Sequence, residues 1–523
     1  MMRVTSGSLV LLLISCCSGQ VASISGQAAS DPSKAHTVTG SVVNSVTGEP
    51  IRRALVQVGA SFAFTGPDGH FQMDGVPDGQ AYATAQKPGF FNLEGAQQSM
   101  ATVGSSTNEV LVKLMPEAKL QGRIVDEDGE PIEGLQVQLM GEQIVGGRKE
   151  WQDRARASTD ENGTYRIENL MPGLYLLRTE VHPVFGFRNA RMTGQYRQEA
   201  YPARFYPNSP DMSAAQPLDL KPGEQGEADL ALSPVRAFAV SGSVSPAPDH
   251  VGISIEDSSG QETQMGARFD RRKGRFSFLA VPAGTWTIIS RSQEMQDQSY
   301  YGEQAITVGA SDIEGVQVLM QPLYPIKVHV VNALEGDSPG MQVQLVPEQR
   351  RGRRGMFVAT PEKENSQEQL VFNGVPPGKY NISAQPFGMR CVEAAVSGNT
   401  DLAQNELVVP AGPPAPPISI TLGNDCGTVS GTVRATEGSA NGTVLLVSNS
   451  LLTQPKIAQI QRGGSFTFQN LSPGEYHVYA ISSIEGLEYG NAEALRDFGG
   501  QQIELGPNQK ADVTLDLAIR GVK

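Results

Sequence analysis

Six histidines, His36, His70, His182, His250, His329 and His477, are the residues from which a hydrolytic zinc centre in this 523-residue sequence would have to be built. Zinc takes three nitrogen or carboxylate ligands on rigid elements, usually a close pair spaced HxxE or HExxH plus a distant third. Each histidine stands outside both patterns. No GxSxG elbow offers a nucleophilic serine, and GVPPGKY (374–380) has neither the spacing nor the Ser/Thr of a phosphate-binding loop. Asp126, Asp128 and Glu130 could open a calcium loop, but the closing glutamate that such a loop needs at its twelfth position is Val137 here, so a solvated turn is the simpler reading. The sequence therefore predicts no enzyme, no cofactor and no metal site.

Binding chemistry has better material. Between 178 and 206 stand Arg178, Arg188, Arg191, Arg197 and Arg204 with Phe185, Phe187, Tyr196, Tyr201, Phe205 and Tyr206, six aromatics in 29 residues of a chain that is 6% aromatic overall. Exposed rings and guanidinium groups stack on sugars and grip anionic groups, which makes Tyr196, Arg197, Tyr201, Arg204, Phe205 and Tyr206 the ligand-binding candidates. The same residues could instead close an open sandwich edge, because a long insertion in a compact domain needs a core of its own. Arg350, Arg351, Arg353 and Arg354 form the one dense basic run, suited to a polyanion or to plain solvation. The proline-rich stretch 410–417 reads as a stiff extended spacer.

The elements that must carry these residues are set by a repeat. FTFQNLSPGEYHVYA (466–480) alternates apolar residues before and after a Pro-Gly turn, the pattern of two strands that we read as hairpin neighbours. Copies begin at 71, 165, 276 and 370, so successive copies are separated by 94, 111, 94 and 96 residues, close to one β-sandwich each. In the first copy the aromatic Tyr82 falls three residues after Gly79 where the others place theirs two after, so Ala81 takes the core-facing slot and a thinner core is expected there. Four opening strands carry a central glycine, Gly40, Gly122, Gly242 and Gly431, which predicts a bend or a close backbone approach; the remaining one reads Ile326, Val328, Val330 without it. Alternating strands follow and close each repeat, roughly seven strands per copy.

Length and charge agree with several domains of one soluble, turn-rich, all-β chain: 57 glycines, 34 prolines and a net charge of −14. A pI near 5.1 argues against non-specific nucleic-acid binding. Arg3, the apolar run 9–14 and the small residues after it fit a bacterial secretory signal over 1–23, too short to span a bilayer. Two endings compete: residues 13–16 resemble a lipobox, which would lipidate Cys16, whereas cleavage after Gly19 or Ser23 would free the chain. Cys391 and Cys426 are the cysteines left outside the leader, and in an exported chain such a pair usually forms a disulfide, the alternative being two buried thiols.

Repeat two runs Gly122, Asp126, Asp128, Gly129, Pro131, Ile132, Gly134 and Val137, then Thr159, Asp160, Gly163 and Tyr165, then the Pro-Gly turn. This order resembles the carboxypeptidase regulatory-like domain, a transthyretin-like (Ig-like, prealbumin-type) sandwich grouped with carbohydrate-binding-like folds. Repeat one matches it through Gly40, Gly48, Pro50, Ala54, Val56, Asp68, Gly69 and Phe71, and repeats three to five match mainly at the turn. Similar arrays are exported by acidobacteria and related Gram-negative bacteria. The resemblance implies a tandem array of five β-sandwiches, at 36–116, 117–235 with its insertion 178–206, 237–322, 323–424 and 425–523. It implies no catalysis, and as partners it favours carbohydrate or another cell-envelope polymer, with an envelope protein held as scaffold cargo as the alternative.

Overall fold

The computed structural model describes residues 35–77, 79–92, 99–103, 109–184, 198–247, 250–263, 265–292, 299–331, 341–348, 355–362, 369–435 and 442–520. The leader with Cys16, the candidates Tyr196 and Arg197, the arginine run 350–354 and the side chain of Ala81 lie outside them. The chain divides into two compact units, Met1–Pro116 and Glu117–Lys523.

Period-two alternation does the expected work in the opening strands. In Ala118–Asp126 the side chains of Ala118, Leu120 and Ile124 are buried while Lys119 and Arg123 are not. Across the described residues the strands form ten sheets, which face one another in pairs around five apolar cores. We number the pairs sandwich 1, in the first unit, and sandwiches 2 to 5, in the second. One layer of each has the opening strand at its centre. In sandwich 5, Gly427–Arg434 runs antiparallel to Ser465–Leu471 and parallel to the closing strand Lys510–Asp516. The other four repeat this arrangement, so the first and last strands of every copy meet.

The repeated turn corrects the sequence reading. Ser465–Leu471 and Gly474–Ile481 do not pair with each other: the first lies on the opening strand, and the second lies in the opposite layer between Thr443–Ser448 and Gln501–Leu505. The same separation holds in the other copies, so the Pro-Gly segment is an arch that crosses the core and not a hairpin. Side-chain alternation is identical in the two arrangements, and backbone rotation distinguishes them. Asn470 at φ 56° and Gly474 at φ 151° flank the turn and swing the second strand out of the plane of the first. Phe466 and Phe468 consequently meet Tyr476, Val478 and Ala480 across the core. The second-strand aromatic then latches the arch, with Tyr476 Oη donating to the Ser472 carbonyl at 2.7 Å, Tyr380 Oη to Pro376 at 2.7 Å and Trp286 Nε1 to Pro282 at 2.9 Å. In sandwich 1 the displaced Tyr82 is 63% exposed and takes no part.

The strand glycines serve close approach. Gly40, Gly122, Gly242 and Gly431 sit directly opposite Phe71, Tyr165, Phe276 and Phe466, while in sandwich 4 the corresponding pair is Val328 and Leu370. The bulge lies two to four residues earlier, for example between Gly427 and Val429. A Cβ on Gly122 would stand 2.1 Å from the Ala228 carbonyl oxygen of the closing segment and 2.8 Å from Tyr165 Oη. The aromatic ring thus covers the glycine, and where the ring is absent the glycine is too. Gly122→Ala is expected to destabilise sandwich 2 by about 1–3 kcal/mol or more, since the obstacle is backbone; chemical denaturation measures it, and Val328→Ala in sandwich 4, which only removes volume, is the comparison.

Two further motif residues prove architectural. Thr159 Oγ1 donates to the Ile132 carbonyl and accepts from the Leu135 amide at 3.0 Å, tying the loop over the core edge, and Thr65 does the same for Ile51 and Ala54 in sandwich 1. Asp126 is buried and accepts from the Asp128 amide at 3.0 Å and the Glu130 amide at 2.9 Å, so its carboxylate orders a turn.

Candidate functional site

The described ends of the sandwich 2 insertion, 178–184 and 198–206, pack against protein. Its strands His182–Val184 and Glu199–Tyr201 pair antiparallel and extend the sheet of sandwich 3, with Glu199 and Ala200 opposite Arg236 and Val235. Tyr201 is buried in the core of sandwich 2, while Ala200 next to it is buried in that of sandwich 3. Phe205 is 2% exposed against Met140 and Leu176, and Tyr206 is half-buried against the core of sandwich 2. Backbone bonds from Thr179 to the Arg204 carbonyl, 2.8 Å, and from Tyr206 to Leu177, 2.9 Å, fasten this return segment to the strand Gly173–Thr179. Tyr201 and Phe205, for which the sequence left a stacking surface and the closing of a sandwich edge both open, face protein, packed on the residues of sandwich 2. Arg204 is half-buried, which lowers its pKa.

At the centre of the bridge is Arg178, 1% exposed. Its guanidinium pairs with Asp257 of sandwich 3, donates to Gln138 Oε1 at 3.4 Å and stands 5.8 Å from the Phe205 ring centroid. Asp257 is held in turn by the amides of Ser259 at 2.9 Å and Gln261 at 3.1 Å. Sandwich 2 also touches sandwich 5. The Gly490 amide donates to the Gly147 carbonyl at 2.7 Å, and the Lys149 amide to Glu488 Oε1 at 3.1 Å, across 339 residues of sequence. Gly147 has φ 81°, and a Cβ there would lie 2.4 Å from the Gly490 nitrogen, so both its conformation and the contact require glycine.

Cys391 and Cys426 come together at the junction of sandwiches 4 and 5, bonded through their sulfurs with Cα atoms 5.6 Å apart. Cys391 opens the strand Cys391–Ser397 of sandwich 4, and Cys426 immediately precedes the strand Gly427–Arg434 of sandwich 5. The junction is tightened by Leu452, a residue of sandwich 5 buried in the core of sandwich 4, and by hydrogen bonds from Leu451 to Ala403 at 2.9 Å and from Asn470 Nδ2 to Gly388 at 2.9 Å.

Beside the bridge lies a cleft of about 360 Å³, lined by Arg390, Cys391, Lys456, Asn470, Ser472 and Tyr476 among others. Arg390 is 7% exposed. Lys456 reaches the carbonyls of Gln469 at 3.5 Å and Asn470 at 3.4 Å, and its burial lowers its pKa. Burial pushes Tyr476 up to about 12, which keeps its hydroxyl neutral and committed to Ser472. Sequence reasoning passed over Arg390 and Lys456 because each is a lone basic residue in a strand or loop; the adjacency of Arg390 to Cys391 was the one available signal. Among the described residues no group of three or more His, Cys, Asp or Glu side chains converges as a metal site, and no helix is long and apolar enough to cross a membrane.

These features define a protein of β-sandwich class. Residues 119–191, the body of sandwich 2, match the family model of the carboxypeptidase regulatory-like domain. Among solved structures the chain is similar to the minor pilin GBS52 of Streptococcus agalactiae, at 16% identity and TM-score 0.21 over 38% of this chain and 96% of that one. It is also similar to the TIE protein of Bacillus anthracis, at 14% identity and TM-score 0.16 over 74% and 68%, and to a streptococcal ancillary pilin, at 12% and 0.19 over 55% and 99%. No curated protein matches the chain.

Proposed function

We propose that this chain is a non-catalytic, exported module of five sandwich domains, bounded as the repeat spacing bounds them, whose role is structural: to space or assemble proteins of the cell envelope. The observation that carries this reading is that the described parts of the Arg/aromatic insertion join sandwiches 2 and 3, with Arg178 paired to Asp257 and Glu199–Tyr201 added to the sheet of sandwich 3. Sandwich 5 meeting sandwich 2 through Gly490 and Gly147 supports it further, because a contact across so much sequence makes a braced body and not a loose string. A signal segment over 1–23, with or without lipidation of Cys16, would deliver the module to the periplasm or surface.

Carbohydrate binding through the insertion is the competing role. In-cell crosslinking followed by mass spectrometry is expected to return the same envelope proteins reproducibly, while Tyr201→Ala and Tyr206→Ala leave any glycan binding unchanged. Glycan binding that disappears in Tyr201→Ala or Tyr206→Ala proteins of unchanged melting temperature would overturn the structural reading.

A further inference from the structure

The cleft between sandwiches 4 and 5 has a charge character opposite to that of the chain around it. The protein carries 55 acidic against 41 basic residues, yet among the described residues the lining of the cleft contains Arg390 and Lys456 and no carboxylate. Lys456 is fixed by two carbonyl oxygens, which accept its hydrogen bonds without cancelling its charge. A cation held in a partly desolvated concavity attracts an anion more strongly than one in bulk water. Around the two cations the walls alternate amides and a hydroxyl, Gln385, Gln454, Gln469 and Thr453, which both donate and accept and so match sugar hydroxyls, with apolar residues such as Pro386, Val392 and Leu471 that suit the C–H face of a sugar ring. The volume, about 360 Å³, falls within the range of small-molecule sites.

We propose that this cleft binds a uronic acid residue, its carboxylate held between Arg390 and Lys456 and its hydroxyls by the surrounding amides. A guanidinium offers parallel N–H donors suited to a carboxylate, and the lysine adds a second charge from another sandwich, so the ligand bridges the two domains. The site is independent of the scaffold role and stands whether or not that role holds.

Calorimetric titration of the mature full-length protein with D-glucuronate, D-glucose and inorganic phosphate tests it. Glucuronate is expected to bind, glucose to give no signal at the same concentrations, and phosphate to bind more weakly than glucuronate. Lys456→Met, which keeps the buried stem and removes the charge, is expected to weaken glucuronate binding by about tenfold or more, the loss of one charge-assisted contact. Gln454→Glu, which places a carboxylate in the wall, is expected to abolish binding while the melting temperature is retained, and it serves if the lysine variant folds poorly. Tighter binding of a short oligouronide assigns a polymer as the source and equal binding assigns the free acid, and either supports the site. Glucose binding as well as glucuronate, phosphate binding more tightly, or wild-type affinity in a folded Lys456→Met protein would each overturn it.

Discussion

Asp257→Ala is expected to destabilise the junction of sandwiches 2 and 3 by about 3–5 kcal/mol, the penalty for leaving one member of a buried ion pair without its partner. The stranded group is Arg178, at 1% exposure, whose remaining neighbours are Gln138 Oε1 at 3.4 Å and the Phe205 ring at 5.8 Å. Neither neutralises a guanidinium. Because the chain has several cores, one two-state transition is not assumed, and hydrogen exchange of the strands Gly173–Thr179 and Val251–Glu256 is the local measurement. Arg178→Met should be milder, since it removes the charge and leaves an apolar stem among Met140, Leu176 and Phe205. The Arg178→Met, Asp257→Ala double variant should be less destabilised than the sum of the singles, as expected for residues that meet. An additive result, or exchange unchanged in Asp257→Ala, would refute the bridge.

The second large effect is assigned to the cysteines. The bridge encloses a sequence separation of 35, which corresponds to about 4 kcal/mol of unfolded-state entropy on the chain-closure model. Cys391→Ser with Cys426→Ser should therefore lower the melting transition of sandwiches 4 and 5, and reductant should lower it similarly in the wild type and have no effect on the double variant. A wild-type transition insensitive to strong reductant under conditions that free both thiols would remove the stabilising role. Since Cys391 lines the cleft beside Arg390, the same treatment should also weaken glucuronate binding.

The periodic signals were legible. FxF alternation, the Pro-Gly turn and the glycine of the opening strand each reported a local constraint: a buried face, a positive φ, a missing Cβ. The pairing of strands was less so. The segment 466–480 reads equally well as a hairpin or an arch, because both bury the same side chains, and what separates them is the rotation introduced near Asn470 and Gly474. The glycine's purpose was half visible, as close approach; that it faces the first aromatic of FxF in four copies, and is replaced together with that aromatic in sandwich 4, required the register.

Local sequence determined what each copy is, an all-β repeat with an apolar face, because side-chain alternation and turn chemistry act over a few residues. Tertiary structure decided how the copies use what distinguishes them. Arg178 and Asp257 are 79 residues apart in sequence, and Gly147 and Gly490 are farther apart still. Arg390 and Lys456 come from different sandwiches and share one cleft. No pattern of neighbours along a chain encodes such meetings, since they depend on how separately folded layers present their edges to one another.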